Sequence, residues 1–236
     1  MKVQKIETRR MFDLEKKLKL YNVHRSVLRQ ILVEWGFLPP DARELAKHDF
    51  PIDVEGRLAV PYQVITSFEL TDTEAIPIGH DYFFEKVGDD KLYCSTDVTD
   101  SFLQECIPLA TLPPRLARDS DTAILTSGAL NLLAAYTMTE KSYTVAVPHI
   151  FFATKSSHLL ARYLKNKEIK KVVLAFPKSQ RQQQQQLASI LRKKGFKVEI
   201  LPYEGKTPFE HYQISISKMM EQAMEAHDAI VPDNGV

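Results

Sequence analysis

The feature that most constrains the fold is a regular alternation of apolar and amphipathic segments in the second half of the chain. The segments TAILTS, YTVAVP, KKVVLAFP and KVEILPY are short, apolar and rich in β-branched residues, as buried strands are. Between them, ALNLLAAYTM, SSHLLARYLKN and SQRQQQQQLASILRKKG repeat apolar residues at helical spacing. This order predicts βαβ crossovers, and therefore an α/β fold with a largely parallel sheet flanked by helices over residues 119–212.

The glutamine run at residues 182–186 is of low complexity, but it lies inside a helical pattern. Because glutamine is a good helix former, we expect a helix here that faces solvent.

Residues 1–118 lack this regularity and predict a small mixed α+β subdomain. Segments 12–23 and 23–37 have helical spacing, 56–70 alternates as a strand does, and 80–95 is typical of a hairpin that turns at Gly88 and Asp89. We expect a short helix or loop at 100–118, because Pro108, Pro113 and Pro114 interrupt regular structure. Residues 213–236 are expected to form a C-terminal helix and tail.

Positive charge is concentrated in one stretch. The chain has 31 Lys and Arg against 30 Asp and Glu, a net charge of +1. Residues 155–197 alone have 12 Lys and Arg against 1 acidic residue, a net charge of +11. Such a density attracts phosphate groups, although lysines that only solubilise outer helix faces would give the same pattern.

Several classes of protein are disfavoured by composition. The chain has no run of about 18 apolar residues and its start lacks the apolar stretch of a signal peptide, so we expect an intracellular protein of the cytoplasm, nucleoid or mitochondrial matrix that makes no membrane contact. Cys94 and Cys106 are too few for a zinc ribbon, and the histidines lack zinc-ligand spacing. We predict no metal and no cofactor.

Ligands of open α/β sheets bind beyond the carboxyl ends of the strands, so the residues after each predicted strand are candidates for a site. The order ILTSGALNLLAA, VAVPHIFFATKSSHLLARYL, KKVVLAFPKSQ and KKGFKVEILPYEGKTPFEHY resembles the TOPRIM domain of bacterial-type DNA primases and of phage and mitochondrial primase-helicases. The resemblance covers about residues 121–212. It implies a TOPRIM-like sheet and a role in DNA replication.

The acidic residues of the TOPRIM family are missing from the matching positions of this chain. The resemblance implies that five residues stand where the family has its metal-binding acids: Ser127, Asn131, Pro177, Ser179 and Thr207. Magnesium-dependent phosphoryl transfer relies on such carboxylates to hold the ions. We therefore predict a catalytically inactive, primase-like protein.

Two upstream segments, VEGRLAVPYQV and DDKLYCS, also resemble primase sequences. The resemblance implies that Lys91 lies in a basic cleft and Arg57 near it. Together with the basic stretch at 155–197, it predicts binding of single-stranded DNA or a primer-template, with these candidate contacts: Arg57, Lys91, Lys155, Lys178, Arg181 and Lys206. One alternative is a protein scaffold that docks a replicative helicase or polymerase through the C-terminal helix. A second is a metal-dependent primase with relocated acids, such as Asp89, Asp90 or Glu204.

Three other signals carry no function. Gly205-Lys206-Thr207 imitates the end of a Walker A loop, but the glycine that the motif needs five residues earlier is Ile200. Ser127 lacks the flanking glycines of a nucleophile elbow. The isolated residues His149 and His158 are assigned no role.

Overall fold

The computed structural model describes residues 20–53, 56–70, 75–85, 93–94, 106–115, 120–139 and 142–230. Its helices are α1 (Arg25–Glu34), α2 (Pro39–Leu45), α3 (Ala129–Met138), α4 (Ile150–Lys155), α5 (Ser157–Asn166), α6 (Arg181–Lys193) and α7 (Pro208–Ile230), with 3₁₀ turns at Ala46–His48 and Lys178–Gln180. Its strands are β1 (Leu58–Leu70), β2 (Ala75–Glu85), β3 (Tyr93–Cys94), β4 (Cys106–Leu112), β5 (Thr122–Ser127), β6 (Tyr143–Val147), β7 (Lys171–Leu174) and β8 (Lys197–Ile200).

These strands form one sheet in the order β3-β2-β1-β4-β6-β5-β7-β8. The pairs β5–β6, β5–β7 and β7–β8 are parallel, whereas β1 to β4 pair antiparallel and β4 joins β6 antiparallel. The predicted α/β fold class is therefore confirmed, and the parallel strands are those that the sequence alternation identified. The mixed N-terminal part continues the same sheet.

The expectation of a short helix or loop at 100–118 was wrong for Cys106–Leu112, which is strand β4. Its first residues pair with β1, in a ladder that matches Val64 with Pro108, and its last three pair with β6. Pro108 lies outside the part that pairs with β6. A proline, which has no N–H to donate, is tolerated where one side of a strand needs no ladder hydrogen bond.

The other N-terminal predictions have mixed outcomes. The second predicted helix is confirmed as α1, but most of the first, 12–23, lies outside the described residues, and its end is extended, since Tyr21 bridges Ile52. The predicted hairpin strands pair, with Phe84 opposite Tyr93. The turn predicted at Gly88 and Asp89 lies outside the described residues.

Helices cover both faces of the sheet. Successive strand residues point to opposite sides, so each buried strand contributes side chains to a core on both faces. On β5, Ala123 and Leu125 belong to a core shared with α4, α5 and α6. The other face packs against α3, the start of α7 and the α1–α2 pair, in a second core that contains Phe37 and Phe209. No described helix has the length and apolar character needed to span a membrane.

The glutamine run is helical, as expected, but it does not face solvent throughout. Gln184 is only 3% exposed and donates a hydrogen bond from Nε2 to the Leu174 carbonyl at 2.9 Å, whereas the other four glutamines of the run are exposed. The 3.6-residue period turns this one position toward the sheet, where its amide satisfies a carbonyl at the end of β7.

Candidate nucleic-acid interface

The parallel strands β5 to β8 end at one side of the sheet, which we call the carboxyl edge. It consists of the segments that follow these strands, 127–131, 148–151, 175–184 and 201–211. In open α/β sheets this is the side where ligands bind. The candidate residues Ser127, Asn131, Pro177, Ser179 and Thr207 all lie there.

Asn131 holds the carboxyl edge together. Its side-chain Nδ2 donates to the Ser127 carbonyl at 2.8 Å, and its Oδ1 accepts from the Phe209 backbone N–H at 3.2 Å. The side chain is buried and thus ties the end of β5 to the first turn of α7. An ionised carboxylate at this position could accept the second bond but not donate the first. The amide is suited to a structural role.

Thr207 is the N-cap of α7. Its Oγ1 accepts from the Glu210 N–H at 3.1 Å, while Oε2 of Glu210 accepts from the Lys206 N–H at 2.6 Å. This is a variant of the capping box, with Pro208 at the first helical position. Gly205 has φ +74°, and a Cβ there would lie 2.8 Å from Cβ of Glu210. The Gly-Lys-Thr-Pro segment therefore builds a helix start.

The remaining three family positions provide no charge. Pro177 has no donor and precedes the 3₁₀ turn that contains the exposed Ser179. Ser127 is buried, and its Oγ lies 3.5 Å from the Gln180 Oε1. All five positions thus carry neutral side chains, which do not match the anionic oxygen ligands that magnesium prefers.

Three predicted cations come together at the carboxyl edge: Lys178, Arg181 and Lys206. The Lys178 N–H donates to the Lys206 carbonyl at 2.8 Å, which fixes these two segments side by side. Lys178 and Arg181 line a cavity of about 400 Å³ whose wall includes Tyr203. All three cationic side chains are exposed.

Tyr203 contacts Phe176 and, in this cluster, Lys178. Its hydroxyl donates to the Phe176 carbonyl, and the Lys178 Nζ lies 5.7 Å from its ring centroid. Burial, with a smaller contribution from Glu210, raises the pKa of Tyr203 to about 12. The phenol therefore stays neutral at physiological pH and keeps its place as a donor and as an aromatic platform for the lysine.

The other three predicted cations do not join this cluster. Lys155 ends α4 with its Nζ 5.4 Å from the ring centroid of Phe151, which is 38% exposed. Arg57 precedes β1, which runs in the same direction as β6, so Arg57 lies toward the opposite edge of the sheet. Its guanidinium is 2.7 Å from the Asp53 carboxylate, and the Arg57 side chain is only 16% exposed. Lys91 lies outside the described residues.

Most of the basic stretch also lies at the opposite side, which we call the amino edge (120–122, 143, 165–171 and 192–199). Helices α5 and α6 run back to it and β7 and β8 start from it. It carries eight cations: Lys165, Lys167, Lys170, Lys171, Arg192, Lys193, Lys194 and Lys197. Sequence reasoning missed this division. The signal was available, since these residues lie where helices end and strands begin.

Acids and histidines near the carboxyl edge have other partners. Glu204 pairs with Lys218 at 2.7 Å, and its N–H donates to the His211 Nδ1 at 3.2 Å. His149 is the N-cap of α4, and burial lowers its pKa. Among the described residues, no three His, Cys, Asp or Glu side chains are grouped as metal ligands. The other candidate relocated acids, Asp89 and Asp90, lie outside that part of the chain.

No family model matches the chain, and no curated protein sequence matches it. Solved structures similar to it include those of primases. The primase fragment of the bacteriophage T7 primase-helicase is 16% identical over 82% of this chain and 71% of that one, with a TM-score of 0.48. The primase domain in a T7 complex with lagging-strand DNA polymerase, an RNA/DNA hybrid and dTTP is 16% identical over 80% and 88%, with a TM-score of 0.49. The zinc-binding and RNA polymerase domains of Aquifex aeolicus primase are 17% identical over 90% and 52%, with a TM-score of 0.42. These similarities concern the fold.

Proposed function

We propose that this chain is a catalytically inactive, primase-like protein that acts inside the cell in DNA replication. It binds single-stranded DNA or a primer-template at the carboxyl edge of its sheet. The observation that carries the proposal is the convergence of Lys178, Arg181 and Lys206 at the ligand-binding side of an α/β sheet. The TOPRIM resemblance of residues 121–212 supplies the link to replication.

The carboxyl edge is suited to phosphates without a metal ion. Lysine and arginine contacts to phosphate release counterions, and this supplies affinity that does not depend on sequence. Single-strand binders add aromatic rings on which bases stack, and the exposed ring of Phe151, beside Lys155, is available for this at the same edge.

Magnesium-dependent phosphoryl transfer does not fit the side chains at this edge. The polar side-chain atoms of Asn131 and Thr207 form structural hydrogen bonds, and the side chain of Pro177 has no polar atom. Two-metal catalysis needs carboxylates that hold the ions on either side of the reacting phosphorus. We therefore infer a protein that binds nucleic acid and leaves the chemistry to a partner.

The test is fluorescence anisotropy of a labelled single-stranded oligonucleotide, titrated with the protein over a salt series, with and without Mg²⁺. We expect binding that weakens steeply with salt and is indifferent to Mg²⁺. The triple variant K178Q/R181Q/K206Q should bind about tenfold more weakly, and the slope of log K against log salt should become shallower by about 2, because each single-strand phosphate contact contributes about 0.7.

A matched control removes three cations from the exposed faces of the N-terminal helical region, in R29Q/R43Q/K47Q. This control has the same net charge as the carboxyl-edge variant and should bind as the wild type does. Equal losses in both triple variants would mean that only overall charge matters. Absence of binding at low salt, or binding that requires Mg²⁺, would contradict the proposal.

A protein-interaction scaffold is the second candidate, and one observation favours it. The start of α7 packs against α1 and α2 through Tyr212 and Gln213, but Met219 and Met220, further along, are 52% and 57% exposed. If α7 docks a replicative helicase or polymerase, M219E/M220E should abolish binding to that purified partner and leave oligonucleotide binding unchanged.

A further inference from the structure

The amino edge carries more cationic charge than the carboxyl edge. Its eight cations stand against three described carboxylates, those of Asp121, Glu168 and Glu199, which leaves a net charge of +5. A cavity of about 830 Å³ opens here, and its lining includes three lysines (Lys165, Lys167 and Lys170), the acidic residues Asp121 and Glu168, and Thr122 and Tyr143. This surface takes no part in the site described above.

Local structure accounts for some of these cations. Lys165, Arg192 and Lys193 lie in the last turns of α5 and α6, where the helix dipole favours positive charge. Lys171 and Lys197 lie 2.8 and 3.7 Å from Glu199, their carboxylate partner on β8.

The rest have no such explanation. Lys167, Lys170 and Lys194 come after the helices end, and the described residues offer them no ion pair. The first two are exposed and border the cavity. Backbone hydrogen bonds from Lys170 and Lys171 to the Asp121 carbonyl, at 2.7 and 2.9 Å, hold this segment in place. Like charges that lie close together repel one another, so the grouping of these cations has a cost that an anionic ligand would reduce.

We propose that the amino edge is a second phosphate-binding surface, which holds a further segment of a nucleic-acid strand. Its composition fits a phosphate backbone better than a protein partner. Protein interfaces are depleted in lysine and centre on aromatic or aliphatic anchors. The strongly exposed large apolar residues of the described part are Tyr21, Val27, Val33, Phe151, Ile200, Met219 and Met220, and none belongs to the amino edge.

The two edges are separated by the height of the sheet. Strand β5 has six residues, which at about 3.3 Å each span roughly 20 Å. A strand that contacts both edges must therefore pass around the sheet, whereas a short oligonucleotide occupies one edge. We therefore expect longer oligonucleotides to bind more tightly than short ones, because they also contact the cations of the amino edge.

The experiment compares three variants of equal net charge by anisotropy with a labelled single strand of about 30 nucleotides: K167Q/K170Q/K194Q, K178Q/R181Q/K206Q and R29Q/R43Q/K47Q. We expect the amino-edge variant to bind about tenfold more weakly with a salt slope shallower by about 2, and the N-terminal control to match the wild type. With a short oligonucleotide of about 4 nucleotides, which at about 3.4 Å each is too short to reach both edges, removal of the cations of either edge should leave binding at the other.

Each proposal can fail separately. Wild-type affinity in the amino-edge variant, with a loss in the carboxyl-edge variant, overturns this inference and leaves the proposed function standing. The reverse result supports this inference and contradicts the carboxyl-edge site. Displacement of the oligonucleotide by a short polyglutamate peptide at equal concentration would show an acidic protein site instead, and would also overturn the inference.

Folding of the amino-edge variant is checked by its thermal midpoint. If the variant does not fold, reductive methylation of the wild type supplies the readout. Lys167 and Lys170 are exposed, so bound oligonucleotide should reduce their labelling, measured by mass spectrometry, while Lys47 serves as the unprotected reference. Equal labelling of these two lysines with and without oligonucleotide would refute the inference.

Discussion

Substitution of Asn131 by aspartate, the residue type that TOPRIM domains carry at the matching position, should destabilise this protein. The amide donates to the Ser127 carbonyl at 2.8 Å and is 7% exposed. In the variant N131D a carboxylate oxygen would face that carbonyl, which would lose its donor, while the bond from the Phe209 N–H would remain. A buried polar group left without its partner costs about 1–3 kcal/mol. We expect the free energy of unfolding to fall by about 2 kcal/mol at pH 7, and the melting temperature by about 4–8 °C.

The loss in N131D should depend on pH with a defined sign. We expect burial and the nearby Ser127 carbonyl to raise the pKa of the introduced carboxyl group above its unfolded value of about 3.9. A protonated carboxyl can donate to the carbonyl as the amide does. The folded state therefore binds the proton more tightly than the unfolded state. The loss of stability relative to the wild type should be small below about pH 4, grow as pH rises toward the folded pKa, and be constant above it.

Urea unfolding of N131D and the wild type from pH 4 to pH 8 measures this difference. The control is N166D, which makes the same chemical change at an asparagine whose buried Nδ2 has no hydrogen-bond partner among the described residues. Removing that donor breaks no bond, so N166D should cost less at pH 7. If N131D and N166D lose equal stability, or if the loss in N131D is the same at every pH, the structural role of the Asn131 amide is refuted.

Two further substitutions test the local roles assigned above. T207A should lose about 1 kcal/mol of stability, because α7 loses its N-cap. T207D retains a capping oxygen and should stay within about 0.5 kcal/mol of the wild type. Equal stability of the two variants in urea unfolding would contradict the capping role. Q184A should lose about 1–3 kcal/mol of stability, because a carbonyl at the end of β7 loses its donor. Q183A changes an exposed residue of the same run and should change stability by no more than about 0.5 kcal/mol. Equal thermal midpoints for the two variants would refute the structural role of the buried Gln184 amide.

The parallel part of the fold could be predicted closely from the sequence. Strand TAILTS and helix ALNLLAAYTM were expected where β5 and α3 lie, because the spacing of apolar residues along a buried strand or helix is a local property. Strand β4 could not be predicted. It is held by β1 and β6, which lie far from it in the sequence, and its proline disfavours a strand when considered alone.

The candidate site was predictable in part. The replacement of acidic residues at the TOPRIM positions is visible in the sequence, and so is the presence of Lys178, Arg181 and Lys206 after the strands. The hydrogen bonds of Asn131 and the cap at Thr207 depend on the contact between the start of α7 and the end of β5. In that contact Asn131 and Phe209, which are 78 residues apart in the sequence, form a hydrogen bond. No local pattern contains that contact.

By itself, the sequence determined the order of strands and helices, the neutral character of the five TOPRIM positions and the excess of positive charge in residues 155–197. Only the tertiary structure decided which of the segments that follow different strands lie side by side at the carboxyl edge. A helix that crosses back over a parallel sheet carries its first residues to one edge and its last residues to the other. Cations at the two ends of one helix, such as Arg181 and Arg192, are therefore separated in space, while Lys178 and Lys206, which are distant in the chain, are brought side by side.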